Sequence, residues 1–203
     1  MKRLRLFVFL MIMLLSVSAN AALIDNGNGT VTQIKSDGSM LMWLKDANYA
    51  GTTGYVSYND YYDTYSTGGS MTWGNAMYWA DTLSFAGYDD WRLPASPPGE
   101  MEDLYYNEGV TASTPGPFTN LYDPDPTHGV SYWYSRESET CPGCGAYFFM
   151  FNGGVVMEDW KYHERKAWAV RTVVPEPISS ILFVTGGATF GIRGFFRKRK
   201  QRT

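Results

Sequence analysis

An α+β fold with antiparallel strands, two short helices and long loops is predicted for this 203-residue chain from three features. Strand-like runs stand at both ends of its central part, two helical patterns lie between them, and one long stretch with four prolines separates the helices from the closing strands. From Leu23 onward, Ile24-Asp25-Asn26-Gly27-Asn28-Gly29 has turn chemistry and Thr30-Val31-Thr32 alternates as a strand. Ser36-Asp37-Gly38 is a second turn and Leu41-Met42-Trp43-Leu44 a further strand, so the chain is expected to open with a hairpin. Residues 51–69 are rich in Tyr, Gly, Ser, Thr and Asp without a helical period, and read as a surface loop or a pair of weak edge strands.

The most ordered pattern covers residues 73–94. Thr72 is placed to cap a helix through its hydroxyl, and Trp73, Ala76, Met77, Ala80 and Leu83 recur on one stripe that Trp79 widens. The pattern fades at Phe85-Ala86-Gly87, where glycine can adopt the left-handed conformation that ends a helix. Trp91 and Leu93 then share one face of an extended segment that Pro94 stops. A second helix is expected after Ser96-Pro97-Pro98, with acids in its first turn and Met101, Leu104 and Tyr105 on its apolar side. Residues 109–129 form a long loop of the kind that carries function or covers an edge. Strands return at 131–135, 146–151, 154–157 and 167–174, and Phe151-Asn152-Gly153-Gly154 is the sharpest hairpin signal. Since strands begin and end this domain, their pairing in one antiparallel sheet is a natural closure.

Both ends of the chain read as addresses. Lys2, Arg3 and Arg5 precede an apolar run over residues 6–15 and then Ala19-Asn20-Ala21, the layout of a secretory signal cut after Ala21. The run is shorter than the roughly 20 residues that span a bilayer. At the other end, Pro175-Glu176-Pro177 breaks regular structure, residues 178–192 are apolar and small, and six Lys and Arg follow. This triplet, short membrane segment and basic cluster resemble the PEP-CTERM sorting tail of Gram-negative bacteria. The resemblance implies membrane attachment through the tail until an exosortase removes it, export through the inner membrane, and carriers in organisms that make an exopolysaccharide matrix. The expected divisions are therefore residues 1–21, 22–174 and 175–203.

Removing the ends changes the electrostatics. The whole chain carries −3, but residues 22–174 hold eight Lys and Arg against 19 Asp and Glu, a net charge near −11. Such a surface lacks the cations that displace counterions from phosphate, which excludes nucleic acid as the expected partner. It suits calcium or neutral glycans.

Four constellations can carry chemistry. Cys141-Pro142-Gly143-Cys144 holds the only two cysteines, and its spacing fits a turn-pinning disulfide, a redox pair or half a metal site; an exported protein favours the disulfide. Asp89 and Asp90 precede Trp91-Arg92, but neighbours on an extended strand point to opposite faces and do not share a proton or an ion. Arg92 beside apolar neighbours needs an anion, from Asp90 or from a carboxylate elsewhere, so Asp90, Trp91, Arg92, Trp73 and Trp79 are assigned structural roles. Asp123 and Asp125, with His128 after them in a proline-stiffened loop, offer the oxygen ligands a hard cation such as calcium takes, though a solvated turn reads the same way. No other cofactor is expected. Tyr55, Tyr58, Tyr61, Tyr62 and Tyr65 form a tyrosine-rich stretch whose rings suit sugars and protein partners alike, or the packing of an edge strand.

Five stretches, GNGTVT at 27–32, LMWLKDANYAG at 41–51, MTWGNAMYWADTLSFAGYDDWRLP at 71–94, YWYSRESE at 132–139 and AWAVRTV at 167–173, resemble the Lcl C-terminal domain family of bacterial extracellular proteins. That resemblance implies a C-type-lectin-like scaffold on secreted or surface proteins, sometimes adhesive, without an established reaction. The function expected is that of an exported, non-catalytic surface or matrix protein binding an exopolysaccharide, another glycan or a surface protein. Two alternatives stay open: an enzyme of lectin-like fold that uses Cys141 and Cys144, and a structural matrix protein that associates with itself.

Overall fold

The computed structural model describes residues 22–95, 99–121 and 130–174. In chain order the elements are β1 (Ala22–Asp25), β2 (Thr30–Ile34), β3 (Met40–Leu44), α1 (Tyr49–Thr52), β4 (Ser57–Asn59), β5 (Thr64–Ser66), β6 (Ser70–Met71), α2 (Trp73–Asp81), α3 (Glu100–Tyr106), β7 (Ser131–Glu137), β8 (Gly145–Met150), β9 (Val155–Trp160), β10 (Arg165–Lys166) and β11 (Val170–Val173). They form an α+β fold with a four-stranded sheet in the order β1-β2-β3-β11, a five-stranded sheet in the order β6-β10-β7-β8-β9, and the small β4-β5 hairpin. The β1-β2, β2-β3, β4-β5, β6-β10, β7-β8 and β8-β9 pairings are antiparallel, and β10 runs parallel to β7. The expected opening hairpin is present, with Thr30 opposite Leu44 and Ile34 opposite Met40. The first and last strands do share a sheet, but they occupy its two edges and do not pair with each other, because β2 and β3 lie between them.

The core is built from aromatic residues. Trp43, Trp91, Trp133, Trp168, Tyr132, Tyr134, Phe149 and Phe151 are all fully buried, each contributing about 2–3 kcal/mol through area removed from water. Each buried indole N–H must find an acceptor. Trp168 Nε1 donates to Leu44 O at 2.8 Å, Trp133 Nε1 to Met71 O at 2.9 Å and Trp43 Nε1 to Gln33 Oε1 at 3.0 Å. The first two bonds fix their indoles to specific backbone positions, and the third to a neighbouring side chain on β2. Trp73, half-buried, donates to Tyr134 O at 2.8 Å, while Trp79 and Trp91 are 5 % and 2 % exposed.

Thr72 caps α2 as expected, its hydroxyl accepting the Asn75 N–H. The helix stops at Asp81, earlier than the apolar period suggests. Ala86 and Gly87 both adopt positive φ and make a tight turn in which Phe85 and Tyr88 exchange backbone hydrogen bonds, so Gly87 serves a hairpin-like turn and not a helix end. The second helix is capped by its own acid: the Glu102 carboxylate accepts the Gly99 N–H at the start of α3. Pro97 and Pro98 lie outside the described residues.

Arg92 finds its anion in Glu100, with two hydrogen bonds of 2.7 Å, and not in Asp90. Asp90 pairs with Arg171 at 2.6 and 3.0 Å, and the Arg171 guanidinium also covers the Tyr88 ring at 3.8 Å. Alternation explains the division. Asp90 and Arg92 flank Trp91, which points into the core, and the backbone of Arg92 bridges Val170. Among the described residues no helix is long and apolar enough to cross a membrane. The expected leader at 1–21, the expected sorting tail with Pro175, Glu176 and Pro177, and the calcium candidates Asp123 and Asp125 lie outside the described residues.

Candidate ligand-binding face

The tyrosine-rich stretch folds as the second of its two expected forms. β4 and β5 pair from Ser57 opposite Ser66 to Asn59 opposite Thr64, and the turn between them carries Tyr61 and Tyr62. A single buried side chain sets that turn. Asn59 is 1 % exposed; its Oδ1 accepts the N–H groups of Tyr61 and Tyr62, and its Nδ2 donates to Tyr162 O at 3.0 Å and Glu164 Oε1 at 2.8 Å. All the hydrogen-bonding capacity of a buried amide is used, and the hairpin is thereby fastened to the β9-β10 connection. Ser66 Oγ adds a second bond to Glu164, and Asn75 Nδ2 of α2 holds Tyr58 O at 2.7 Å.

This joint assembles an aromatic platform from two distant parts of the chain. Tyr61 lies flat on Tyr162, with ring centroids 3.9 Å apart and planes 14° from parallel. Trp160 continues the stack at 6.0 Å and 16°, and Tyr62 meets Tyr162 edge-on at 5.9 Å. Tyr61, Tyr62 and Trp160 remain 64 %, 50 % and 49 % exposed. Tyr58 and Tyr65 form a separate pair on the hairpin, 5.1 Å apart, with the Tyr58 hydroxyl donating to Asp63. Tyr55 stands apart from both groups; it is half-buried and burial pushes its phenol above the usual range.

Beside the platform lies an open cleft of about 570 Å³ lined by Tyr62, Asp159, His163, Glu164 and Arg165. Asp159 organises it, its Oδ1 2.6 Å from His163 Nδ1 and its Oδ2 accepting from Arg165. With neutral imidazole this bond places the proton on Nδ1 and leaves Nε2 as an acceptor. Arg165 also donates to Ser131 Oγ and lies 3.7 Å above the Phe148 ring; its burial pushes the guanidinium below its usual range, with Asp159 opposing. The cleft thus offers an imidazole nitrogen and carboxylate oxygens next to exposed rings, the mixture that orients a polyhydroxylated ligand.

Cys141 and Cys144 are joined in a disulfide with Cα atoms 5.5 Å apart, and in that state neither sulfur is a nucleophile or a metal ligand. The bridge closes the turn between β7 and β8, and Cys144 O accepts the Lys161 N–H next to Trp160. Among the described residues no three His, Cys, Asp or Glu side chains are grouped to hold a metal ion. Trp160, Tyr162 and His163 were not among the residues singled out from the sequence. The string DWKYHER has no recognisable motif, and only its position opposite the tyrosine hairpin gives it meaning.

A family model described as the Lcl C-terminal domain matches residues 32–171, which include β2 from Thr32 onward, the tyrosine hairpin and the whole aromatic platform. No curated protein matches the chain. With more than half of its length matched, the chain belongs to the Lcl C-terminal domain family.

Proposed function

We propose that this protein is an exported, non-catalytic surface or matrix protein whose aromatic platform binds an extracellular glycan. The observation that carries the reading is the exposure of Tyr61, Tyr62 and Trp160 on a rigid support, next to a cleft with polar groups. Exposed aromatic rings of this size are costly on a surface without a partner, and a sugar presents the apolar C–H face that covers them while its hydroxyls take the polar groups. Further support comes from the two ends of the chain, which read as a leader and as a PEP-CTERM tail processed by an exosortase, and from the C-type-lectin-like scaffold that the family resemblance implies. That likeness concerns fold, and fold alone does not fix function. The Cys141–Cys144 bridge favours this reading over a metal-ligand or nucleophile role for the pair, both of which need a free thiolate.

The test is a glycan array probed with the purified protein, with and without calcium. Binding to at least one glycan class that Tyr61→Ala weakens supports the reading, and binding of none in either condition ends it. Calcium dependence that Asp123→Asn with Asp125→Asn removes would assign the ion to those two residues. Cell fractionation of a variant with Pro175, Glu176 and Pro177 replaced by alanine checks the export route: retention in the inner membrane is expected.

A further inference from the structure

We infer that the glycan this face selects is a polymer of amino sugars carrying free, protonated amines, and not a neutral, sulfated or uronic-acid chain. The inference rests on the glycan-binding reading above and specifies its ligand by charge. Residues 46–91, which supply the tyrosine hairpin and α2, contain no Lys, Arg or His but six Asp. Two of these, Asp60 and Asp63, sit exposed in the hairpin turn on either side of Tyr61 and Tyr62, and Asp63 accepts the Tyr58 hydroxyl. Glu164, in the cleft itself, accepts from the neutral groups of Asn59 and Ser66 and forms no ion pair among the described residues.

The cations nearest the platform are all committed elsewhere. Lys161 Nζ lies 2.5 Å from Glu137 and 4.4 Å above the Trp73 ring. Arg165 is held by Asp159 and Phe148, and Lys166, 9 % exposed, donates to Gly68 O. An anionic polymer would therefore meet uncompensated carboxylates with no available Lys or Arg among the described residues nearest the platform. A chain bearing ammonium groups gains twice, from the carboxylates and from the negative faces of Tyr61, Tyr62 and Trp160. The sugar ring stacks while its amine is drawn to Asp60, Asp63 or Glu164.

Titration calorimetry on the full protein tests this with four probes: a glucosamine hexamer, the fully N-acetylated hexamer, a hyaluronan oligosaccharide and an oligolysine peptide. The glucosamine hexamer is expected to bind at least about tenfold more tightly than its N-acetylated counterpart, and more weakly as salt rises. Tyr61→Ala and the double variant Asp60→Asn/Asp63→Asn should each lower its affinity about tenfold. The double variant should leave any residual binding of the N-acetylated hexamer unchanged. Equal or tighter binding of the N-acetylated or hyaluronan probe, still sensitive to Tyr61→Ala, overturns the amino-sugar assignment and leaves the glycan reading standing. Binding of oligolysine as tight as that of glucosamine, with Tyr61→Ala neutral for both, shows a merely acidic surface and overturns both. Binding of no saccharide likewise overturns both.

Discussion

Tyr61 and Tyr162 stack face to face at 3.9 Å, although one belongs to the β4-β5 hairpin and the other follows β9. The contact joins a polar, tyrosine-rich excursion to the edge of the five-stranded sheet. It turns rings that would otherwise move independently into one surface. What holds the contact is not the rings alone, since an aromatic pair contributes only about 0.5–1.5 kcal/mol. The buried Asn59 amide beneath them supplies the register.

Asn59 is accordingly the position whose chemistry matters most. Asn59→Ala leaves Tyr162 O and two backbone N–H groups without a partner and should cost about 1–3 kcal/mol in chemical unfolding. Asn59→Asp is close in shape but sets a carboxylate 2.8 Å from Glu164, so it should be the more destabilising at neutral pH and recover as both acids are protonated. An aspartate variant as stable as the parent at pH 7 would contradict the assignment.

The Asn152-Gly153-Gly154 turn gives an internal control. At Gly154, with φ of +67°, a Cβ would press into the Tyr105 ring, 2.8 Å from Cδ1, whereas at Gly153 its nearest neighbour is the Val155 methyl at 3.5 Å. Gly154→Ala should destabilise by about 2–4 kcal/mol and Gly153→Ala by less than about 1 kcal/mol. Thermal unfolding of the two variants compares them directly.

Two carboxylates should respond to pH with opposite signs. Hydrogen bonds from Arg171 hold the Asp90 carboxyl below its usual 3.8, so its contribution is present above that value and lost as pH falls through the lower folded one. Burial, reinforced by Asp103, pushes Glu108 above its usual 4.5, so this group costs stability as pH rises through its folded value. Asp90→Asn should be less stable than the parent at about pH 7 and equal to it at about pH 2, while Glu108→Gln should be more stable at about pH 7 and equal at about pH 4. Urea midpoints across that range decide both.

The disulfide closes a very short loop, which limits its effect on the unfolded chain. Reduction, or Cys141→Ser with Cys144→Ser, is expected to cost about 2 kcal/mol and lower the melting temperature by about 5 °C without abolishing folding. Complete unfolding on mild reduction would mean that the bridge organises more than its own turn.

Much of the scaffold was legible because local signals agree with the tertiary result. Thr72 before Trp73, the alternation of Thr30-Val31-Thr32 and the Asn-Gly-Gly turn each specify an element without help from distant residues. The end of α2 was misjudged because Leu83 and Phe85 extend the apolar period past the helix, and the Ala86-Gly87 turn overrides it. The partner of Arg92 was legible in kind but not in identity, since two acids lay within reach and only the fold sends Asp90 to Arg171. The platform was half legible. Its tyrosines stood out by composition, but Trp160 ends β9 and Tyr162 follows it in an ordinary turn, and the two become part of a site only when this end of β9 is brought against the hairpin.

The most direct test of the account is the affinity of the intact protein for its glycan in the Tyr61→Ala and Trp160→Ala variants, measured beside their melting temperatures. Each variant should lose about tenfold or more in affinity while keeping its melting temperature within about 3 °C of the parent, since both rings are half-exposed or more. Undiminished affinity in two well-folded variants would show that the platform is not the binding surface.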